Sequence, residues 1–126
     1  MEQVYKKDGT SLNIMTEEDV KVIDLLPYIN TSDWYDVHIA YCSSRIVTIT
    51  ILIRSGVVDA KRTRLINDER FFPSNAVYGF VNIQSSINDV DKILDTRINT
   101  NGEVYIWIAK ELSYGELVTF IYPLKL

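Results

Sequence analysis

The chain carries one cysteine, one histidine, three prolines and five glycines in 126 residues. With Cys42 alone, no intrachain disulfide forms and no multi-cysteine zinc site can be assembled, so Cys42 is expected to act as a small buried hydrophobe. Metal-ligand spacings such as Cys-x-x-Cys or His-Glu-x-x-His are missing. A Ser-His-Asp or Cys-His nucleophile would have to draw on His38, and no Gly-x-Ser-x-Gly elbow surrounds any serine. A glycine-rich phosphate loop is missing too. Paired carboxylates for glycoside hydrolysis meet in space rather than in sequence, and nothing here singles out a pair. The expectation is a protein that is not an enzyme and that uses neither cofactor nor metal.

Long apolar runs are also scarce. The densest, Ile46 to Ile53, is bracketed by Arg45 and Arg54 and falls far short of the roughly 20 residues that span a bilayer. The opening "MEQVYKKDGT" has no apolar stretch behind its positive charges, so the expectation is a soluble chain made in the cytosol, with no secretory signal and no membrane insertion. Positive charge is in deficit: 13 Lys and Arg stand against 17 Asp and Glu, for a net charge of −4, and the pI is near 4.9. The overall field repels a phosphate backbone, so nucleic acid is not an expected partner. One stretch runs against this trend. Between Arg54 and Arg70, five basic residues (Arg54, Lys61, Arg62, Arg64, Arg70) face three acids (Asp59, Asp68, Glu69), and they read as a solvated, self-paired strand and loop rather than an anion site.

What is abundant points to sheet. Eight Tyr, two Trp, four Phe and runs of Val and Ile favour a pleated surface on which branched and aromatic groups pack. With 47% hydrophobic and 24% charged residues the composition is that of a folded globular chain, long enough for one domain with its own core. Residues 1–20 are acidic, with an Asp8-Gly9 turn and "TEEDV", and read as an N-terminal arm or linker; residues 21–126 read as the domain. Seven short strand-like runs fall at 21–26, 35–42, 45–54, 76–84, 91–98, 103–110 and 117–122, with no helical pattern of ten or more residues between them. That density predicts an all-β fold, an antiparallel β-barrel or a jelly-roll-like sandwich. Turn residues fall between the runs at Ser43-Ser44, Ser55-Gly56, Asn101-Gly102 and Tyr114-Gly115, with Asn101-Gly102 expected to form a type I′ hairpin turn.

Period-two reading assigns faces. In "RIVTITILIR" Val47, Ile49, Ile51 and Ile53 form a core face. In "EVYIWIAK" Val104, Ile106 and Ile108 point inward, leaving Glu103, Tyr105 and Trp107 outside. In "WYDVHIAYC" Tyr35, Val37, Ile39 and Tyr41 alternate with Trp34, Asp36, His38 and Ala40, and the second set suits an outer surface. Trp34, Asp36 and His38 at i, i+2 and i+4 would then place an aromatic plate, a carboxylate and an imidazole at steps of about 7 Å. Such an inventory suits a sugar, whose C–H face rests on a ring while its hydroxyls bond to the polar groups. The plainer reading folds Trp34 over one end of the barrel as core and leaves Asp36 and His38 as solvated strand residues. Tyr105 and Trp107 have two readings of their own, a contact between subunits or a ligand platform.

The order of these segments resembles a known family. "DWYDVHIAY" precedes the apolar "RIVTITILIRSG"; a loop "LINDERFFPS" ends in Phe72-Pro73-Ser74; then come "AVYGFVNIQ" and the hairpin "INTNGEVYIWI". This is similar to the C-terminal receptor-binding heads of tailed-phage fibre and baseplate proteins, with "DGTSLNIMT" like the linker that enters such heads. The likeness spans about residues 8 to 122, and Ile66-Asn67-Asp68 stands where Leu-Pro-Gly is usual. It implies a β-barrel that forms a homotrimer, sits in the virion at the tail tip or baseplate beside other tail proteins, and binds a bacterial cell-surface saccharide. Closed symmetry would bury rings that a single copy exposes and repeat one weak site three times. Face assignment then nominates Trp34, Asp36, His38 and Trp107 for saccharide binding, with Tyr105 and Arg54 as weaker candidates. The rival expectations are a purely structural trimeric tail domain and an unrelated carbohydrate-active enzyme or bacterial β-sandwich module.

Overall fold

The structure is a computed structural model that describes residues 21–82, 93–112 and 115–125; the arm expected at residues 1–20 lies outside them. Two antiparallel sheets stack face to face as a sandwich, and the described residues contain no α-helix. One sheet has five strands in the order β1 (Val22–Asp24), β2 (Tyr35–Ser43), β3 (Ile46–Ile53), β9 (Glu116–Pro123), β6 (Phe80–Asn82). The other has four, in the order β4 (Asp59–Arg64), β8 (Glu103–Ile108), β7 (Ile93–Ile98), β5 (Val77–Tyr78).

The core follows from alternation. Val47, Ile49 and Ile51 of β3 lie opposite Tyr122, Phe120 and Val118 of β9, and all six are buried. Ile98, Val104, Ile106 and Ile108 close the other side of the same interior. Each such side chain contributes roughly 1.5–3 kcal/mol by leaving water, which is why the two inner faces find each other. Cys42 is buried among them, and burial pushes its thiol pKa up.

The chain passes from one sheet to the other at Gly79, between β5 and β6. A Cβ there would sit 2.5 Å from Val118 Cγ1 and 2.9 Å from Phe120 Cε1, so only glycine lets the strand cross so close to the core. The β7–β8 hairpin differs from the expected type I′ turn. Gly102 N–H donates to Asn99 O (2.9 Å) and Asn99 N–H to Glu103 O (2.8 Å), with Gly102 alone at positive φ, +79°. That is a turn centred on Thr100 and Asn101 followed by a left-handed glycine, a bulged hairpin rather than a primed two-residue one. Positive φ at both central positions occurs instead in the β2–β3 hairpin, at Ser44 (51°) and Arg45 (64°).

Two further expectations are revised. The run at Asp59–Arg64, read as solvated strand and loop and not counted among the seven strands, is a full edge strand paired along β8 from Asp59↔Ile108 to Arg64↔Glu103. In β2 the register slips between Val37, opposite Ile51, and Ile39, opposite Thr50. This bulge at His38 reverses the alternation beyond it: Ala40 and Cys42 turn inward, whereas Ile39 and Tyr41 turn out.

The loop that holds Ile66-Asn67-Asp68 is built by hydrogen bonds. Asp68 is extended (φ −120°, ψ 117°), and its carboxylate accepts from Arg70 N–H at the start of a 3-10 turn, Glu69–Phe71. Leu65 and Ile66 N–H donate to Gly102 O, and Tyr122 Oη donates to Phe71 O (2.5 Å), which ties the loop to both sheets.

Candidate functional site

The six nominated residues do not form one site. Trp34 is 4% exposed; its ring meets Tyr35 edge-on at 4.7 Å, and its Nε1–H donates to Thr63 Oγ1 (2.8 Å). The expectation that it shares an outer surface with Asp36 and His38 is therefore corrected, and the plainer reading of a core tryptophan holds. The indole sits where β2 enters the sandwich, and its one polar atom is satisfied by the edge strand β4, as a buried Trp requires.

Asp36 and Arg54 are exposed on the outside of the five-stranded sheet and bound to each other. Arg54 Nη2 lies 2.6 Å from Asp36 Oδ1, Arg54 Nε lies 3.2 Å from Oδ2, and Arg54 Nη1–H donates to Asp33 O (3.1 Å). The guanidinium holds the Asp36 carboxyl below its ordinary range, chiefly through these hydrogen bonds. Both forks are engaged, so neither side chain is open to a ligand without breaking the pair. His38 is the exposed bulge residue.

Tyr105 and Trp107 are where alternation placed them, on the outer face of β8 in the four-stranded sheet. Trp107 is 49% exposed. They sit on the opposite side of the sandwich from Asp36 and Arg54, so one small ligand on one copy cannot touch both groups.

Around those two rings the register assembles side chains that the sequence reading did not nominate. One row across the four strands reads Arg62, Tyr105, Arg97, Tyr78; the next reads Ala60, Trp107, Asp95. The guanidinium carbons of Arg62 and Arg97 lie 5.2 and 5.3 Å from the centre of the Tyr105 ring, one from each neighbouring strand, within cation–π reach. Tyr78, 66% exposed, continues the row at the sheet edge. Beside it lies a cleft of about 230 Å³ lined by Tyr78, Gly79, Val81, Ile93, Asp95 and Thr96. The arrangement is a flat platform of rings and forked donors, able to stack a planar or C–H-rich group and to bind its oxygens. The alternating "EVYIWI" and "DAKRTR" contain the signal, but only the pairing of β4 with β8 brings it together.

The outside of the five-stranded sheet is of another kind. Across β2, β3, β9 and β6 its rows read Tyr41, Thr48, Ile121 and then Ile39, Thr50, Thr119, Phe80, with Leu52 beside Leu117 below. Phe80 is 66% and Ile121 46% exposed, and Thr50 and Thr119 spend their hydroxyls on each other at 2.9 Å. The first two rows carry no ionisable group across β2, β3, β9 and β6; Asp36, opposite Leu52, ends the third row with its charge met by Arg54, and His38 stands exposed in the bulge beside Ile39.

Among the described residues no group of three His, Cys, Asp or Glu is placed to hold a metal ion, and no helix is long and apolar enough to cross a membrane. No known family model, curated protein or solved structure matches the chain.

Proposed function

We infer that the chain is a non-enzymatic receptor-binding head of the kind carried by phage tail fibres and baseplates, which recognises a bacterial cell-surface saccharide as a homotrimer. The observation that carries this reading is the contrast between the two outer faces. A ring-and-guanidinium platform stands open on one sheet, and a mostly apolar surface with its charges at the margins stands open on the other. Aromatic platforms with forked donors suit sugars, while neutral apolar sheet faces suit burial against protein.

A second copy is the occupant that fits the apolar face. Three strands about seven residues long and the three-residue β6, about 4.8 Å apart, present about 380 Å² in projection. That is nearly half of the ~800 Å² per partner used by specific contacts. The charges that border it are Asp36, already neutralised by Arg54, and Asp24, opposite Tyr41 on the edge strand β1, so a contact that leaves Asp24 at its rim buries no unpaired charge. In a closed trimer the platforms point away from the contacts and act together, so weak single sites suffice for adhesion.

The tests are the oligomeric state by light scattering and binding of the purified chain to bacterial cells and to an array of bacterial envelope glycans. A trimer that binds both supports the reading. A trimer that binds neither leaves the structural tail-domain alternative, in which Tyr105 and Trp107 serve protein contacts. A stable monomer without binding overturns both, and turnover of an arrayed oligosaccharide would make it an enzyme.

A further inference from the structure

We propose that the platform selects acidic saccharides, with Arg62 and Arg97 as the pair that holds the anionic group while the sugar ring rests on Trp107. This deepens the saccharide reading above and depends on it. The warrant is a difference among the arginines of this chain. Arg54 and Arg70 each close both arms of the guanidinium on a carboxylate, at 2.6 and 3.2 Å on Asp36 and at 2.7 and 3.1 Å on Asp68. Arg62 and Arg97 do not. Arg62 reaches Glu103 only through Nε, at 3.4 Å, and Arg97 reaches Asp95 only through Nη2, at 3.7 Å. Both distances exceed the roughly 2.7–2.9 Å of a charge-assisted hydrogen bond. Arg97 Nε is also buried with no hydrogen-bond partner among the described residues.

Because Nε is buried, an anion from outside meets Arg97 through its terminal nitrogens, of which Nη2 stands 3.7 Å from Asp95 Oδ2. The two guanidiniums are held rather than free to wander, since each lies against the Tyr105 ring. They stand on the strands either side of β8, with their Cα atoms about 10 Å apart. Trp107 follows Tyr105 by two residues, a step of about 7 Å along the same face. A carboxylate or phosphate on a sugar can thus take a fork from either arginine while a neighbouring ring stacks on the indole. In a chain with net charge −4 this attraction is local, so binding should weaken steeply with salt.

A uronate carboxylate and a phosphodiester share this chemistry, and three probes separate them: an oligogalacturonate, a glycerol-phosphate oligomer and a neutral oligogalactoside of equal length. Titrated against the intact protein, at least one acidic probe is expected to bind ten times more tightly than the neutral one or better. The tighter acidic probe names the source of the anion. Arg62→Gln and Arg97→Gln should each lose at least tenfold on that probe. Arg62→Lys and Arg97→Lys, which keep the charge but not the fork, should recover part of it, and Lys110→Gln, an equal charge change elsewhere, should lose nothing. The lysine variants and thermal melts separate lost binding from lost folding. Equal binding of all three probes, with no effect of either arginine, overturns the acidic preference and leaves the saccharide platform standing. Failure of all three probes overturns it too, and whether the saccharide reading also falls is then decided by the cells and the glycan array.

Discussion

The two outer faces of the sandwich both belong to antiparallel sheets of short strands, yet they differ in every property that governs contact: β3 carries no charged residue, whereas β4 carries four in its six. The β3 and β9 strands turn isoleucine, leucine and threonine outward, and the β2 bulge adds Ile39 and Tyr41, so the sum is a neutral apolar sheet. The β4 and β7 strands turn arginines outward on either side of Tyr105, so the sum is a polar aromatic one. Both faces rest on one shared interior. A face is thus a property of neighbouring strands: the same ring, Tyr105, would be an apolar liability beside Ile39 and is a cation-bearing plate beside Arg62.

The largest expected effect removes the comparison altogether. Phe120→Ala empties the centre of the common core, where Phe120 is fully buried, and should cost about 3–5 kcal/mol in chemical denaturation. Both association and glycan binding should then fall together. A charge on the apolar face should divide them: Ile39→Asp with Ile121→Asp is expected to shift light scattering to the monomer. The loss is roughly 2 kcal/mol or more per buried carboxylate, about thirtyfold in Kd, while each platform keeps its own affinity. Association unchanged by two aspartates would remove that face from the contact.

On the other sheet, Trp107→Ala should weaken saccharide binding by about 1–3 kcal/mol in calorimetry and change the melting free energy by no more than about 0.5 kcal/mol. An unchanged affinity would clear Trp107 of the role. Smaller still, Tyr35→Phe removes the Oη–H that donates to Asn30 O (2.5 Å), worth about 1 kcal/mol, from the loop at the entry to β2. Burial raises the Tyr35 pKa from 10 to about 12, so the native state favours the neutral phenol. Its contribution is complete below pH 10 and is lost as pH rises toward 12, so the variant should show a shallower alkaline limb.

The smallest effect belongs to the exposed Asp36–Arg54 pair. The Asp36 pKa is lowered from 3.8, so the stability it contributes is present above that value and is lost as pH falls through the lower native one. Asp36→Asn should melt slightly below the parent protein at neutral pH and converge with it in acid. Saccharide binding should be the same in both, because the pair lies on the sheet away from the platform.

Much of this architecture was legible from alternation alone. Val47, Ile49, Ile51 and Ile53, and Val104, Ile106 and Ile108, are buried as period two requires, and Tyr105 and Trp107 face out. The candidate site was half legible, and the misses have physical causes. A bulge is a mismatch between two strands, so the β2 sequence held no sign that His38 would reverse the faces of Ile39 and Tyr41. Trp34 looked like a surface plate because its hydrogen-bond partner, Thr63, is 29 residues away in a stretch read as solvated strand and loop and not counted among the seven strands. That strand was hidden because its inward positions, Lys61 and Thr63, are polar, and an edge strand needs only backbone pairing on one side.

By itself, then, the sequence determined the class of structure and the interior. Side chains alternate along any extended strand, and water drives the apolar set inside wherever the strand is placed. Tertiary structure alone decided what each exterior became. Register sets which side chains stand beside one another across strands, and it brought Arg62 and Arg97 to Tyr105 while leaving Ile39, Ile121 and Phe80 with no charge among them.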